Sequence, residues 1–247
     1  MKVAVIGAAG WVGRAVLENF AGRHEVRAFD YSPEAWESSR KFDGDWEGEK
    51  VYGDVADWDA VNGALEGMDG VVHLAAYFGY EDPPEHNQKP FLVNLKGMWN
   101  VLESARRRCL RRVVHMGSCV VKHPDAVFLS SDVRSKEGDL YGITKRLQEE
   151  MCRQYHDAYG LRIIVFRPCS IGDSRLGISR HGTAARGGVG WVCRHDLAEA
   201  CHLALESEAI DFDIMHTASH SDADRYCNVA RSRDILGLEY KGHFPED

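Results

Sequence analysis

The chain lacks long hydrophobic runs, and no stretch of its 247 residues approaches the ~20 apolar residues of a membrane-spanning helix. No signal-peptide pattern precedes the first apolar segment, which predicts a cytoplasmic protein. Positive charge is also scarce, since 30 Lys and Arg residues stand against 38 Asp and Glu residues, a formal net charge of -8. Nucleic-acid binding needs a basic face, so the composition argues against a nucleic-acid partner and favours a small-molecule substrate.

Motifs for disulfides and metals are missing as well. The seven cysteines are an odd number and include no C-x-x-C pair, so we expect free thiols in a reducing compartment. The twelve histidines include no H-E-x-x-H segment, and no metal site is predicted. The length suits one large core, with or without a small appended lobe.

Residues 1–30 have the pattern strand, glycine turn, helix. The apolar run Lys2–Ile6 is followed at once by glycines spaced Gly-x-x-Gly-x-x-Gly, and apolar residues then recur with helical periodicity up to Phe20. Glycine permits a sharp reversal and close packing of the helix on the strand. A pyrophosphate binds such a helix N-terminus, where unpaired N–H groups and the helix dipole attract negative charge. The predicted cofactor contacts in this turn are Gly7, Ala9, Gly10, Trp11, Val12 and Gly13.

A second apolar run, at residues 25–29, ends at Asp30. Dinucleotide-binding folds carry at this place the acid that binds the adenosine ribose hydroxyls. Tyr31 and Ser32 follow, and no Arg or Lys stands beside Asp30 to meet a 2′-phosphate. The sequence therefore predicts NAD rather than NADP as the cofactor.

Strands alternate with helices over residues 1–168. Further apolar runs lie at 51–52, 70–76, 112–116 and 162–166, and segments with helical periodicity separate them at 57–65, 92–107 and 141–159. The alternation predicts an α/β fold, a Rossmann-type doubly wound parallel sheet with ligands at the carboxyl ends of its strands. We expect residues 1–168 to form the NAD-binding core with the catalytic residues. Residues 169–247 should form a small substrate-binding region packed on that core within one structural domain.

Three segments outside these elements have weaker patterns. We expect residues 32–49 to form a loop with at most one helical turn, because the segment is polar and contains Pro33 and two glycines. Residues 169–190 are predicted to be a substrate loop with little regular structure. Residues 221–236 read as a closing helix that ends at Gly237.

Several charged residues have more than one possible role. Asp54, with Val55 beside it, either meets the adenine amine of the cofactor or caps the helix that begins near Trp58. The loop arginines either stay solvated or bind a substrate anion. We expect three residues near 195 to form a helix start and its surface pairs. The loop arginines are Arg175, Arg180 and Arg186, and the helix-start residues are Arg194, His195 and Asp196.

Tyr141 and Lys145 lie four residues apart, on one face of a predicted helix. A free tyrosine has a pKa of ~10 and is a poor base at neutral pH, but an adjacent ammonium stabilises the phenolate and lowers that pKa. Tyr141 could then take the proton of a substrate hydroxyl while hydride passes to nicotinamide. Lys145 would also bind the nicotinamide ribose, and Ser118, at the end of the preceding strand, could orient the same oxygen.

Together these features resemble the extended short-chain dehydrogenase/reductases of the NAD-dependent epimerase/dehydratase family. The matching positions are Gly7 to Gly13, Asp30, Gly53-Asp54-Val55, His73 to Ala76, Asn94 with Gly97 and Asn100, Ser118, Tyr141 with Lys145, and Arg167-Pro168. The resemblance implies Ser118, Tyr141 and Lys145 as the catalytic set. It adds Leu74, Ala75, Ala76, Asn94, Tyr141, Lys145 and Pro168 to the cofactor contacts. It also implies a homodimer in which the helices at 92–107 and 141–159 pair across a two-fold axis.

Departures from the family pattern narrow the function. Family dehydratases carry an acidic residue after the catalytic serine, where this chain has Cys119 and Val120, so dehydration is not expected. Nucleotide-sugar epimerases are usually longer in the C-terminal lobe. Only residues 169–247 follow the predicted core here, which favours a small substrate.

The closing region resembles that of uronate dehydrogenases, which oxidise the anomeric carbon of a hexuronate to a lactone. Arg186, five residues before Trp191, matches their carboxylate-binding arginine, and Ser170 matches a substrate-contacting serine. Phe78 and Cys119 stand where those enzymes have polar residues. The implied substrate contacts are therefore Phe78, Cys119, Ser170 and Arg186, in a less polar pocket or around a differently substituted sugar.

The predicted function is hydride transfer between NAD and a secondary alcohol or carbonyl of a small sugar or sugar acid, in carbohydrate metabolism. A sugar or nucleotide-sugar epimerase that uses bound NAD transiently is the nearest alternative. Reduction of a less polar carbonyl compound with NAD(P) is a further alternative. A non-catalytic dinucleotide-sensing protein is the alternative from another class.

Overall fold

The computed structural model describes residues 1–80, 84–119, 139–185, 188–225 and 227–244, and its centre is a sheet of seven parallel strands. The described residues form ten strands, seven in this sheet and three in a second one. In chain order they are β1 (Lys2–Ile6), β2 (Glu25–Asp30), β3 (Glu49–Tyr52), β4 (Gly70–His73), β5 (Arg112–Met116), β6 (Ile163–Pro168), β7 (Ser170–Asp173), β8 (Ile178–Ser179), β9 (Trp191–Cys193) and β10 (Phe212–Thr217). The central sheet has the order β3-β2-β1-β4-β5-β6-β10, and β8-β7-β9 form a small second sheet.

Helices cover both faces of the central sheet. They are α1 (Trp11–Phe20), α2 (Glu37–Asp43), α3 (Trp58–Ala64), α4 (Gly97–Arg107), α5 (Leu140–Tyr159), α6 (Arg194–Glu206) and α7 (Ala230–Leu236). Short 3₁₀ turns lie at Pro33–Trp36, Pro84–His86 and Ala223–Arg225, and a π-helical segment, Pro90–Lys96, leads into α4. No helix within the described ranges is long and apolar enough to cross a membrane. The predicted α/β fold with a doubly wound parallel sheet is confirmed.

The inner strands β1, β4, β5 and β6 are almost completely buried because helices cover both faces of the sheet. Val3 and Val5 of β1 face the core formed with α1 and α6, while Ala4 and Ile6 face the core formed with α3, α4 and α5. The same alternation runs through β4, β5 and β6. The two cores therefore place each connecting helix on a defined side of the sheet.

Strand order reverses at β1. β1 pairs with β2 on one side and with β4 on the other, with Ile6 in register with Phe29 and His73. The chain leaves β1 in opposite directions on the two sides, so a crevice opens at the carboxyl ends of β1 and β4. The predicted site residues from the first half of the chain follow strands that end at this edge.

Three sequence-based boundaries were wrong. Residues 32–49 contain a 3₁₀ turn and α2 rather than one helical turn, since Trp36 is 4% exposed and tertiary burial stabilises the segment. Residues 169–190 contain β7 and β8, which are too short for the sequence to show a period. The closing helix is only α7, although Gly237 does end it with φ +69°.

Residues after 168 contribute to both sheets. β10 is the edge strand beside β6, from the register of Phe212 with Ile163 to that of Thr217 with Pro168. α6 packs on α1 through the shared core that contains Leu17 and Leu197. The division into a core at 1–168 and a substrate-binding region at 169–247 remains a prediction.

Gly13 allows the first turn of α1 to lie against the preceding chain. A Cβ at this position would be 2.4 Å from the Gly7 oxygen and 2.5 Å from the Ala8 oxygen, and both are backbone atoms. We expect Gly13→Ala to lower the free energy of unfolding by about 1–3 kcal/mol through this overpacking. Urea denaturation followed by circular dichroism measures it.

Gly63→Ala is the matched control for this prediction. Gly63 lies in α3 with nothing within 4 Å of an added Cβ, so alanine should stabilise the protein by about 0.5–1 kcal/mol. Equal unfolding midpoints for the two variants would contradict the close approach at Gly13.

Candidate functional site

The glycine turn makes the floor of the crevice. Gly7 has φ +86°, and a Cβ there would lie 2.6 Å from the nitrogen of Ala75, so only glycine fits between β1 and the chain after β4. Gly10 precedes α1 without a side-chain cap, and the first turn of α1 contains no acidic residue. The N-terminal N–H groups of α1 therefore keep their capacity to donate to an anion such as the pyrophosphate of NAD.

Asp30 lies beside the glycine turn at the end of β2. Its Oδ2 accepts a hydrogen bond of 2.8 Å from the Ala9 N–H, and its Oδ1 accepts one of 2.8 Å from the Tyr31 N–H. Burial raises the pKa of Asp30, and the two backbone hydrogen bonds oppose that rise. The carboxylate is thus fixed beside the glycine turn, and its predicted contact with a ribose diol stays a prediction.

Trp11 packs between two parts of the chain that are distant in sequence. Its indole meets the Phe42 ring at 5.5 Å, edge to face, and the Arg194 guanidinium at 3.9 Å. Arg194 also donates at 2.7 Å to Asp173 of β7 and at 2.8 Å to Asp43 of α2. The side chain of Trp11 is therefore committed to packing, and its predicted contact with the cofactor rests on its backbone N–H.

The expectation that residues 194–196 form surface pairs was wrong. Arg194 is 2% and Asp196 5% exposed. Asp196 accepts hydrogen bonds from the N–H groups of Lys241 and Gly242, at 3.0 and 2.8 Å. Arg194 and Asp196 therefore connect α6 to α2, β7 and the C-terminal segment. The local sequence could not predict these contacts because the partners lie far apart in the chain.

Asp54 is exposed and accepts a 2.8 Å hydrogen bond from the Ala56 N–H. The cap of α3 is Asp57, whose side chain accepts from the N–H groups of Asp59 and Ala60. Helix capping by Asp54 was therefore the wrong alternative, and its contact with adenine stays a prediction.

The loops at the carboxyl edge of the sheet are held together by contacts of Asn94, Gly97 and Asn100. Asn100 donates to the Val55 carbonyl at 2.8 Å, and a Cβ at Gly97 would lie 2.8 Å from the Val55 side chain. Asn94 accepts from the Tyr77 N–H at 2.7 Å and donates to Thr144 Oγ1 at 2.9 Å. Asn94 thus contributes by positioning the loop after β4 against α5.

The predicted catalytic residues come together at the end of β5. The Tyr141 hydroxyl is hydrogen-bonded to Ser118, which is 7% exposed. The Lys145 Nζ lies 5.7 Å from the centre of the Tyr141 ring and donates to the Met116 carbonyl at 2.9 Å. Asp139 caps α5 by accepting from the Gly142 N–H and so fixes the turn that carries Tyr141.

Burial has the largest effect on the pKa values of Tyr141 and Lys145. It raises the pKa of Tyr141 above its ordinary value, and the hydrogen bond from Ser118 opposes the rise. Burial lowers the pKa of Lys145 to about 8, while the negative charge of Glu149 acts in the opposite direction. The structure contradicts the prediction that the Tyr141 pKa lies below its free value. Desolvation of the phenol raises this pKa by more than the neighbouring groups lower it.

Sequence reasoning missed Glu149. It is 2% exposed and accepts from Arg167 Nε at 2.7 Å and from Arg167 Nη2 at 2.6 Å. Glu149 lies one helical turn after Lys145, so the carboxylate also faces the ammonium. The Tyr-x-x-x-Lys spacing continues as Lys-x-x-x-Glu, and that signal could have revealed the residue.

The predicted substrate residues lie in different surroundings. Phe78 stacks on the Tyr141 ring at 4.8 Å and lines a cavity of about 530 Å³ that also contains Tyr80 and Phe91. The Cys119 N–H donates to the Pro168 carbonyl at 2.9 Å, and Ser170 begins β7 beside it. Arg186 lies outside the described residues, as does Val120.

Sequence reasoning did not single out Arg180 among the loop arginines. Its guanidinium lies 4.5 Å from the centre of the Phe78 ring, on the segment that follows β8. Its positive charge lowers the pKa of Tyr141. The Phe78 ring therefore lies in contact with both the Arg180 guanidinium and the Tyr141 ring.

Comparisons with known proteins agree with this geometry. The model of the NAD dependent epimerase/dehydratase family matches residues 3–174. A uronate dehydrogenase of Agrobacterium fabrum is 32% identical over 168 residues, which cover 67% of this chain but only 60% of that enzyme's length. An L-arabinose 1-dehydrogenase (NAD(P)(+)) of Haloferax volcanii is 26% identical, over 96% of this chain and 94% of its own.

A solved structure extends the similarity to the whole fold. A variant of uronate dehydrogenase from Agrobacterium tumefaciens, complexed with NAD, superposes with a TM-score of 0.76 at 25% identity. The superposition covers 100% of this chain and 84% of that one.

Replacing the Glu149 carboxylate should change both the stability of the protein and the pH dependence of its activity. Glu149→Gln removes the carboxylate that pairs with the buried Arg167 guanidinium, which should cost about 3–5 kcal/mol of unfolding free energy. It also removes the charge that raises the Lys145 pKa, so that pKa should fall below about 8. The alkaline limb of the pH–activity profile should then move to lower pH.

Glu150→Gln is the control, since Glu150 is the exposed neighbour on α5. It should leave both the unfolding midpoint and the pH profile unchanged. An unshifted alkaline limb in a folded Glu149→Gln protein would show that Glu149 does not act on Lys145.

Proposed function

Since the chain belongs to the NAD-dependent epimerase/dehydratase family, we propose that it transfers hydride between NAD and a secondary alcohol or carbonyl of a small sugar or sugar acid. The observation that carries the proposal is the hydrogen bond of Tyr141 with Ser118 beside the buried ammonium of Lys145. These groups lie at the carboxyl edge of the sheet, where the glycine turn and Asp30 suit NAD.

NAD supplies the hydride acceptor for such an oxidation, and the protein residues handle the proton. Tyr141 accepts the proton of the substrate hydroxyl, and Ser118 donates to the same oxygen and orients it. Lys145, charged below its pKa of about 8, stabilises the phenolate. Because burial raises the pKa of Tyr141 and lowers that of Lys145 to about 8, oxidation should increase from neutral pH toward about 8 and decrease above it, where Lys145 loses its charge.

The substrate is proposed to carry a negative charge. Arg180 lies against Phe78, and Phe78 lies against the catalytic phenol, so an anionic group one sugar ring away from the reacting hydroxyl can meet the guanidinium. The name of the uronate dehydrogenase relative fits an acid of this kind, whereas that of the L-arabinose dehydrogenase fits a neutral sugar. The stacked arginine favours the acid.

A second candidate is the reduction of a less polar carbonyl compound. The cavity beside Tyr141 is lined by Phe78, Tyr80 and Phe91, three aromatic side chains that suit an apolar body. Transient use of NAD in an epimerisation is the remaining enzymatic alternative, and it would return its hydride without net NADH.

Assembly and location belong to the same proposal. We infer a homodimer formed through the π-helical segment, α4 and α5, where large apolar side chains are exposed on neighbouring helices. These side chains are Leu92, Trp99, Ile143 and Leu147.

A cytoplasmic location is proposed from the seven cysteines, an odd number without C-x-x-C pairing.

A panel of substrates with NAD tests the function. We expect net NADH absorbance with a hexuronate, and we expect Tyr141→Phe to abolish it while NAD binding, measured separately, is retained. The reason is that phenylalanine keeps the ring packed on Phe78 but has no proton acceptor. Silence across hexuronates and aldoses, with NAD bound, would refute sugar oxidation and direct attention to epimerisation or to apolar carbonyls.

Arg180→Gln tests the anion. Losing one charge-assisted hydrogen bond, worth about 1.5–3 kcal/mol, should raise the KM for a hexuronate by roughly tenfold or more. The KM for a neutral aldose should stay unchanged. Arg175→Gln is the control, because Arg175 lies nearby but pairs with Glu18 at 2.8 Å on the surface. Equal effects on charged and neutral sugars would contradict anion recognition by Arg180.

A further inference from the structure

Two imidazole rings meet at the amino end of the sheet, at the edge opposite to the catalytic residues. His24 directly precedes β2, and His202 lies on α6. The Nε2 of His24 is 2.9 Å from the Nδ1 of His202. One ligand atom from each ring and a carboxylate oxygen of Glu206 all lie within 4.8 Å of one another.

The three side chains are held by rigid elements. Glu206 follows His202 by one turn of α6, so both project from one face of the same helix. The His24 side chain is 1% exposed, and its ring packs against Phe20 at 4.6 Å. The ring of His202 lies 6.5 Å from the same phenylalanine. The chain before β2 and helix α6 thus provide three potential ligands, and packing restricts the rotation of the two imidazole rings.

Protonation also suits ligation. Burial lowers the pKa of His24 to about 4, and burial also lowers the pKa of His202, so both rings are neutral at pH 7. Neutral imidazole and ionised carboxylate are the forms that coordinate metals. The positive charges nearby are the Met1 nitrogen, 3.5 Å from the Nδ1 of His24, and Arg23, which pairs with Glu199 at 2.7 Å. The Met1 nitrogen and a Glu206 carboxylate oxygen, 3.9 Å away, both lie near Nδ1 of His24, while its Nε2 faces His202.

We propose that His24, His202 and Glu206 form a binding site for a divalent transition-metal ion, with Zn²⁺ the ion that fits the ligands best. Zinc takes imidazole nitrogen and carboxylate oxygen at ~2.0–2.2 Å in a tetrahedron, which places two nitrogens about 3.3 Å apart. The facing nitrogens need to separate by only a few tenths of an ångström from 2.9 Å. On binding, the Nε2 proton of His24 moves to Nδ1, and the Met1 ammonium that faces Nδ1 releases one proton to solvent, so that the resulting amine accepts from the new N–H.

The fourth position is open to water, because the Glu206 side chain is 45% exposed. The ion would join the chain between α1 and β2 to α6. Such a junction stabilises the folded state without touching the site of hydride transfer. The sequence contains no H-E-x-x-H segment, and the spacing of His202 and Glu206 does not reveal the site because the third residue, His24, lies far away in the chain.

The test uses the full-length chain with its affinity tag removed and metals stripped with EDTA. Titration with Zn²⁺ in a calorimeter should show one ion per chain, and Zn²⁺ should raise the Tm by several degrees, reversibly on adding EDTA. His202→Gln and Glu206→Gln should each weaken binding at least tenfold. His86→Gln, at an exposed histidine outside the cluster, should bind like the parent.

Co²⁺ provides a second measurement, since its visible absorption reports four-coordinate nitrogen and oxygen ligation. If His202→Gln does not fold, Glu206→Gln decides, because its half-exposed side chain is dispensable for packing. Absence of binding to the parent protein, or binding that survives both substitutions, overturns the proposal. Neither result bears on the proposed oxidoreductase activity, which is measured in the presence of EDTA.

Discussion

The carboxyl end of β1 is joined to that of β4 by one carbonyl group. The oxygen of Ile6 accepts from the N–H groups of Leu74 and Ala75, at 2.8 and 3.1 Å. This draws the chain after β4 so close that Gly7 has no room for a Cβ. The turn at Gly7 then sets the direction of α1, and the free N–H groups at its start face the crevice. The close approach of β1 and β4, and with it the requirement for glycine at position 7, depends on this contact.

A buried ammonium imposes the second constraint. Lys145 is 2% exposed, and it keeps its place through the Met116 carbonyl and the nearby carboxylate of Glu149. His73 and His115 lie below it with their Nδ1 atoms 3.1 Å apart, and their pKa values are lowered by burial and by the lysine charge. They remain uncharged, so among these neighbours it is Glu149 whose negative charge offsets that of Lys145. Arg167 binds the same carboxylate, which links the chemistry of Tyr141 to the packing of β6.

The sequence predicted what depends on short segments with strict requirements. The family resemblance and the doubly wound parallel sheet were confirmed, because turns and apolar periods are visible in short segments of sequence, whereas cofactor contacts of the glycine turn and Asp30 stay predictions. The catalytic role of Tyr141 and Lys145 stays a prediction, although the structure places both as expected. Elements that need distant partners were missed. α2 forms because Trp36 is buried and Asp43 meets Arg194, and neither fact is visible within residues 32–49.

The same reasoning explains why Arg194 escaped notice. A charged residue at a helix start is usually solvated, but this one is 2% exposed and would be costly without its partners. Its guanidinium binds Asp43 from the segment after β2 and Asp173 from β7, and it covers the indole of Trp11. The glycine turn is thereby packed from both sides by parts of the chain that follow it. Residues beyond 168 therefore stabilise the glycine turn as well, because Arg194 contacts Trp11 at the start of α1.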